Sequence, residues 1–398
     1  MQTLDIFDAC GRGVEPDCAD LFDLLAPVGR DRFFSEFWER KPFLVRSCAS
    51  DAMARIFDVD ILDTLVGSRT LWPSDLRVAR DHVPLSRDIL FPEGPADRQA
   101  IFDAFASGHT LIFDKIDQHV PALARMLYAW ESDLRLPVRA NAFLTPKGSS
   151  GFHRHYDTHD VIVVQIRGTK SWEFCDNPMP IPHEEQQRMS SHYGAQARLI
   201  TRIDMRPGDV AYLPRGYVHA ASAMETDTLH LSVSVRNRAL REVMIAALEQ
   251  RLLATERFRR SVRPGEIDGA AIAAEVIAIA GEVDIAQAVA AADLRFRRHR
   301  VRCDDRLRAL SSALTADDDT VLESWPGVEL HVEASAARTR ISAHGESRDV
   351  PFDATEALRR MRSVRRLRIG ELPELDPESR LALARSLLRI GAASPALK

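Results

Sequence analysis

Four side chains able to bind a metal fall close together in this chain. They are His153, His155, Asp157 and His159, in "GFHRHYDTHDVIVVQI". Residues two apart on an extended strand face the same side. The alternation therefore predicts that these side chains converge. His155-x-Asp157 offers one imidazole and one carboxylate, and a metal there needs a third ligand. The candidate is His219, in "RPGDVAYLPRGYVHAASA", where "RPGD" turns into a strand and "PRGYVH" carries a histidine to its end. Two histidines and one carboxylate on one face leave positions open on a six-coordinate ion. That facial triad suits Fe(II), a bidentate cosubstrate and O2; a full ligand set would close the site, as in structural zinc centres. His153 and His159 share the parity, so either has the geometry of a ligand. The expectation places both behind or beside the ligands. H-x-D alone is a common surface pair, and specificity comes from its union with the β-rich region and the two turn signals.

A dicarboxylate cosubstrate needs a fixed cation at its far end. Lys170, in "GTKSW", follows the turn at Gly168 and opens the next strand. Folding back antiparallel on "DVIVVQI" would aim it into the same cup. Without the triad it reads as an ordinary solvated strand lysine.

The elements that must position these residues are short. From about 137 to 235, β-rich runs alternate with turns: "VRANAFLTP", "DVIVVQI", "KSWEFC", "ARLITRIDM", "DVAYLP" and "TLHLSVSV". Such spacing predicts a barrel or sandwich. The first hundred residues read as mostly helical, with "DRFFSEFWERKPFLVR" a helix running into a strand. After Val235 the period turns helical. Leu240, Val243, Met244, Ala247 and Leu248 form one stripe, and the stripe from Leu240 to Phe258 predicts a homodimer. "GAAIAAEVIAIAGEVDIAQAVAAADL" is interrupted by Glu275, Glu282 and Asp284, so it reads as a packed helix and no membrane span. Near 303 a further unit begins, in which helical segments flank a hairpin, "LHVEASAARTRISAHGESRDVPF", with "HGES" as its turn. This is the pattern of a winged-helix-like domain.

The bulk composition is that of a folded globular protein: 398 residues, 45% hydrophobic, 28% charged, net charge −5. Such length predicts two or three domains. The charge gives no global pull toward nucleic acid or anionic membrane. Two arginine-rich stretches, "RFRRHRVR" and "RRMRSVRRLR", are flanked by acids, so direct nucleic acid binding is not expected. Cys10, Cys18, Cys48, Cys175 and Cys303 are scattered and odd in number. They fit a reducing compartment rather than a disulfide framework. The acidic start lacks the pattern of a signal peptide, and a cytoplasmic protein is expected.

Taken together, "NAFLTPKGSSGFHRHYDTHDVIVVQIRGTKSWEFC", "MRPGDVAYLPRGYVHAA" and "TLHLSVSV" resemble the JmjC-type, cupin-fold ribosomal oxygenases. These are 2-oxoglutarate-dependent protein hydroxylases acting on ribosomal proteins. "FFSEFWERKPFLVR" is similar to the family's opening segment, and the helical module and tail match its layout. The resemblance implies an α+β chain whose JmjC domain is a double-stranded β-helix (jelly-roll, cupin) with a helical N-terminal flank. That domain would span 1–236, a helical dimerisation module 237–302, and a C-terminal winged-helix-like domain 303–398. His155, Asp157 and His219 would hold Fe(II), and Lys170 would bind the distal carboxylate of 2-oxoglutarate. Asn141 and His230 would line the cosubstrate pocket. Phe143 stands where relatives often carry tyrosine, and His153 and His159 are not expected of the family. The implied activity is O2-dependent hydroxylation of a side chain in a protein or peptide, either ribosomal or a biosynthetic precursor. Rival readings are a zinc- or nickel-binding cupin without oxygen chemistry, and a winged-helix nucleic-acid-binding regulator with a ligand-sensing cupin domain.

Overall fold

The structure, a computed structural model, describes residues 4–8, 21–46, 50–261, 268–299, 306–324, 328, 330–335, 337–343, 346–364 and 366–396. The first part of the chain contributes β1 (Asp5–Asp8), β2 (Phe43–Arg46), α1 (Val59–Ser68), β3 (Leu76–Arg80), β4 (Val83–Pro84), α2 (Arg98–Ala106), β5 (Thr110–Phe113) and α3 (Pro121–Leu134). Its helices start where the chemistry of caps dictates. Asp58 and Asp97 accept the first free N–H groups of α1 and α2, and Pro121 opens α3. The central region follows with β6 (Val138–Thr145), β7 (Asp160–Arg167) and β8 (Lys170–Cys175). Next come a 3-10 turn (Glu184–Met189) running into α4 (Ser190–Gln196), then β9 (Leu199–Met205), β10 (Val210–Leu213), β11 (His219–Ala223) and β12 (Thr228–Val235).

These strands form two sheets. The larger has the order β1-β2-β10-β7-β12-β6-β5-β3-β4, the smaller β11-β8-β9. The apolar run of β7 follows from its place in the middle. Val161 and Val163 pack toward Trp172, Ile203 and Met205 of the small sheet. Ile162, Val164 and Ile166 join Phe33, Trp130 and Tyr212 in the core beneath the N-terminal helices. A strand covered on both faces carries no polar alternation.

The structure corrects three local expectations. Residues 151–159 are not a regular strand. His155 makes an isolated antiparallel bridge with His219, each N–H donating to the other's carbonyl at 3.0 and 2.8 Å. His219 begins β11 instead of ending β10, because Gly216, at φ 87°, turns the chain between them. Lys170 does open a strand, but β8 does not pair with β7. The turn at Gly168 (φ 66°) lifts the chain into the small sheet, where Lys170 lies opposite Ala223 and Met205. A side chain at Gly168 would collide with the Asp227 carbonyl, so the crossover requires glycine.

After Val235 come α5 (Leu240–Ala254), α6 (Gly269–Gly281) and α7 (Ile285–His299). The alanine-rich tract is two helices, not one, because Asp284 caps the second by accepting the N–H of Gln287 at 2.9 Å. It is thinly covered: no residue of α6 is fully buried, and Ala292 is the buried residue of α7 among those described. Of the stripe on α5, only Val243 is buried, and Leu240 is 63% exposed. The remainder holds α8 (Arg306–Thr315), β13 (Val321–Ser324), β14 (His331–Ser335), β15 (Arg338–Ala343), β16 (Glu346–Val350), α9 (Thr355–Ser363), β17 (Arg366–Arg368), α10 (Pro377–Ile390) and β18 (Ala393–Pro395). Where one hairpin was expected, two three-stranded sheets occur, β14-β15-β16 and β17-β13-β18. They share a core around Ile341, Leu358, Leu383 and Leu387. Turn residues His344 and Gly345 lie outside the described residues, as do Cys10, Cys18, Cys48, Cys303 and the end of "RFRRHRVR". Cys175 is a buried free thiol. Among the described residues, no helix is long and apolar enough to cross a membrane.

Candidate metal and cosubstrate site

The bridge between His155 and His219 brings two separated segments to one point. One donor atom each from His155, Asp157 and His219 lies within 4.8 Å of the others. Nε2 of His219 is 3.6 Å from Oδ2 of Asp157, and the two imidazoles are 4.5 Å apart at their centroids. Each ring is oriented from behind by a backbone carbonyl. Nδ1 of His155 is 2.8 Å from the His153 oxygen, and Nδ1 of His219 is 3.1 Å from the Tyr217 oxygen. A carbonyl can only accept, so each Nδ1 carries the proton and each Nε2 presents its lone pair inward.

Electrostatics keep this donor set ready for a cation. Burial and the neighbouring His155 pull His219 down to about 4, despite the carboxylate of Asp157. Burial pushes the Asp157 carboxyl up, but His159, His155, His219 and Arg77 outweigh it and hold it below the usual carboxylate range. A neutral His219 and an ionised Asp157 are protonation states that suit a divalent metal.

The three residues line a cavity of about 470 Å³. Lys170 reaches into it, 3% exposed, donating to Thr145 Oγ1 at 2.9 Å and lying 3.3 Å from Nδ1 of His230. Burial lowers its ammonium to about 7, and burial with the adjacent Lys170 holds His230 far below the usual imidazole range. Asn141 and His230 both line the cavity. Asn141 accepts the N–H of Lys115 at 2.9 Å, and His230 stacks on Phe143 at 4.8 Å. Phe143 therefore supplies a flat apolar wall. The indole N–H of Trp172, buried beside the cavity, has no acceptor among the described residues.

The other two histidines separate. His159 lines the cavity but stands outside the three-residue set. His153 is exposed and packs against His82, their rings 4.2 Å apart. Convergence of all four residues fails because the segment is irregular, so alternate positions no longer share a face. Arg77, His82, Thr145, Trp172 and Ser190 also line the cavity and escaped the sequence reading. Thr145 had a signal, since it shares the parity of Asn141 and Phe143 on β6. Arg77 and His82 come from the distant β3–β4 hairpin, and nothing in their neighbourhood marks them.

Two packed sheets enclosing a His-x-Asp…His set define the cupin-type fold of a JmjC domain, and residues 118–243 match the model of the JmjC domain family. Rat ribosomal oxygenase 1 is 28% identical over 254 residues, 61% of this chain and 42% of the rat protein. The bifunctional lysine-specific demethylase and histidyl-hydroxylase NO66 of Drosophila persimilis is 27% identical over 54% of this chain and 31% of its own. The chain spans less than half the length of these relatives. Among solved structures, the Escherichia coli ribosomal oxygenase YcfD covers 96% of this chain and 100% of its own, at TM-score 0.54 and 16% identity. A further structure of YcfD, in complex with cobalt and succinic acid, superposes at TM-score 0.50 with 17% identity, covering 91% and 97% of the two chains. The chain carries a JmjC domain and is related to the ribosomal oxygenases, as the motifs of its central region anticipate.

Proposed function

We propose that this protein is an Fe(II)- and 2-oxoglutarate-dependent dioxygenase that hydroxylates a side chain of a protein or peptide. One observation carries the reading: an open three-donor set shares a cavity with a buried lysine that, among the described residues, no carboxylate neutralises. His155, Asp157 and His219 would hold Fe(II) and leave half its sphere vacant. Lys170 would neutralise the far carboxylate of 2-oxoglutarate, with Thr145 and His230 fixing its direction. Asn141 adds a polar group along the same wall. When bound, iron and 2-oxoglutarate together supply the oxidising power that inserts one atom of O2 into a C–H bond. The chain's own work is to bind, orient and keep water out.

The relatives' names, ribosomal oxygenase and histidyl-hydroxylase, support a ribosomal-protein substrate; a biosynthetic precursor peptide is the second candidate. Division into 1–236, 237–302 and 303–398 is supported by the separate core of the last part. The uncovered apolar surface of α5–α7 supports a homodimer through the middle part. We place the protein in the cytoplasm.

The test is anaerobic purification, addition of Fe(II), 2-oxoglutarate and O2, and mass spectrometry of ribosomal proteins. Succinate formation with a one-oxygen mass gain on one polypeptide is expected. Metal binding without O2-dependent succinate, across all candidate substrates, would leave a metal-binding cupin instead.

A further inference from the structure

Tyr156 lies between His155 and Asp157, and its backbone presents a problem. His155 spends both its N–H and its carbonyl on His219. In extended chain the next residue's backbone groups point the opposite way. The N–H and carbonyl of Tyr156 therefore face away from β11, where no strand of either sheet lies beside them. Buried backbone groups without partners cost about 1–3 kcal/mol each.

A single hydroxyl meets both needs. Ser190 Oγ accepts the Tyr156 N–H at 2.8 Å and donates to the Tyr156 carbonyl at 2.7 Å. A hydroxyl can do this because it carries one donor and two lone pairs. Ser190 is 3% exposed. Gln187 adds a second donor to the same carbonyl at 3.2 Å, and the Tyr156 hydroxyl donates to the Gln186 carbonyl at 2.6 Å. Four residues on, Gly194 lies so close to the Arg154 carbonyl that any Cβ would collide with it. The segment between β8 and β9 thus grips residues 154–156 through their backbone, from the side opposite His219. Its other surface lines the cavity through Gln187, Ser190 and Ser191.

From this geometry we infer that Ser190 is a positioning residue, substituting for a β-strand neighbour and fixing the spacing of His155 and Asp157 about the metal. Gly194 sets how deeply that grip reaches. The inference rests on the metal-site reading above.

The experiment measures Co(II) affinity and the Co(II) ligand-field spectrum of the full chain, with far-UV circular dichroism to check the fold. Ser190→Ala is expected to weaken Co(II) by about ten- to a hundredfold, as loss of a group orienting a metal ligand does, and to shift the spectrum. Ser190→Thr keeps the hydroxyl and should restore both. Gly194→Ala should reproduce the loss by displacing Arg154 and His155. A folded Ser190→Ala protein with wild-type affinity and spectrum overturns the proposal. If Ser190→Ala does not fold, an unchanged spectrum in folded Gly194→Ala overturns it. A wild-type chain that binds no divalent metal instead defeats the metal-site reading itself.

Discussion

The ammonium of Lys170 lies 3.3 Å from Nδ1 of His230, and among the described residues no carboxylate pairs with it. His230 is held neutral by burial and by Lys170 itself. A buried cation with only neutral partners is costly, and it answers that cost by giving up its proton near pH 7. The bound dicarboxylate would supply the missing counter-charge.

A pH dependence follows. Only the charged lysine pairs well with a carboxylate, so 2-oxoglutarate affinity should be level below about pH 7. Above it, affinity should fall by about tenfold per pH unit. Calorimetric titration of Co(II)-loaded protein across that range measures it, and a flat profile would show that Lys170 is not the clamp. Lys170→Ala should cost about 2–5 kcal/mol of cosubstrate binding, as removal of one partner of a buried charge pair does.

The same lysine should limit stability without ligand. Between about pH 7 and 10.5 the unfolded chain keeps a proton that the folded chain has lost. The folding penalty is therefore fully present below pH 7 and relieved as pH rises. Lys170→Met should stabilise the ligand-free protein near neutral pH by an amount on the order of a few kcal/mol. That gain should shrink toward pH 10 in thermal melts. An equal gain at every pH would mean that the effect is packing alone.

Among the metal-binding side chains, His219 and His153 should behave oppositely. His219→Ala removes a buried donor whose orientation the Tyr217 carbonyl fixes, and Asp157→Ala removes the carboxylate; each should abolish stoichiometric metal and turnover. His153→Ala touches an exposed ring that meets His82 edge to face. It should leave Co(II) affinity within about twofold, the scale of an ordinary surface change. Metal analysis after dialysis separates these outcomes, and strong loss in His153→Ala would reopen the ligand set.

How much of this was legible follows from how each residue is placed. His155, Asp157 and His219 were readable because a short H-x-D and a histidine after a proline-glycine turn carry local signals. Their convergence was anticipated for the wrong reason: a two-residue bridge, not strand parity, brings them together. Asn141 and His230 line the cavity from β6 and β12, positions that the resemblance supplied and no local pattern marked. Lys170 reaches the cavity although its strand belongs to the other sheet, because the turn at Gly168 shows in the sequence while the sheet it leads to does not. Arg77, His82 and Ser190 reach the cavity through long-range packing, which leaves no local pattern. The alanine-rich tract misled because periodicity reports an apolar surface and is silent on what covers it.

Substrate charge is constrained by the cavity wall. Asp157 is the only carboxylate among its lining residues, and it belongs to the donor set. Arg77 is already balanced by Asp114, at 2.5 and 2.6 Å, and with Lys170 it offers the wall no acidic group. A lysyl or methyl-lysyl target would enter without a counter-ion, which disfavours demethylation. Methyl-lysine peptides should give no succinate above background, whereas peptides presenting a neutral side chain should. Turnover with the former would require a carboxylate brought in by the substrate chain itself.

The helices after the catalytic region should assemble two copies. Leu240, Ile245, Leu253, Ile277, Ile285 and Leu294, spread over the three helices, are between 48% and 71% exposed. Helices this short gain stability chiefly from packing an apolar face, and several large apolar side chains left exposed on them call for a cover. A second copy of the same surface would cover it through a two-fold contact. Light scattering should find a dimer at micromolar concentration. Leu253→Glu combined with Ile277→Glu should yield monomers that melt at lower temperature, since the helices lose their cover. A wild-type monomer, or a double variant that remains dimeric, would assign this surface to another partner.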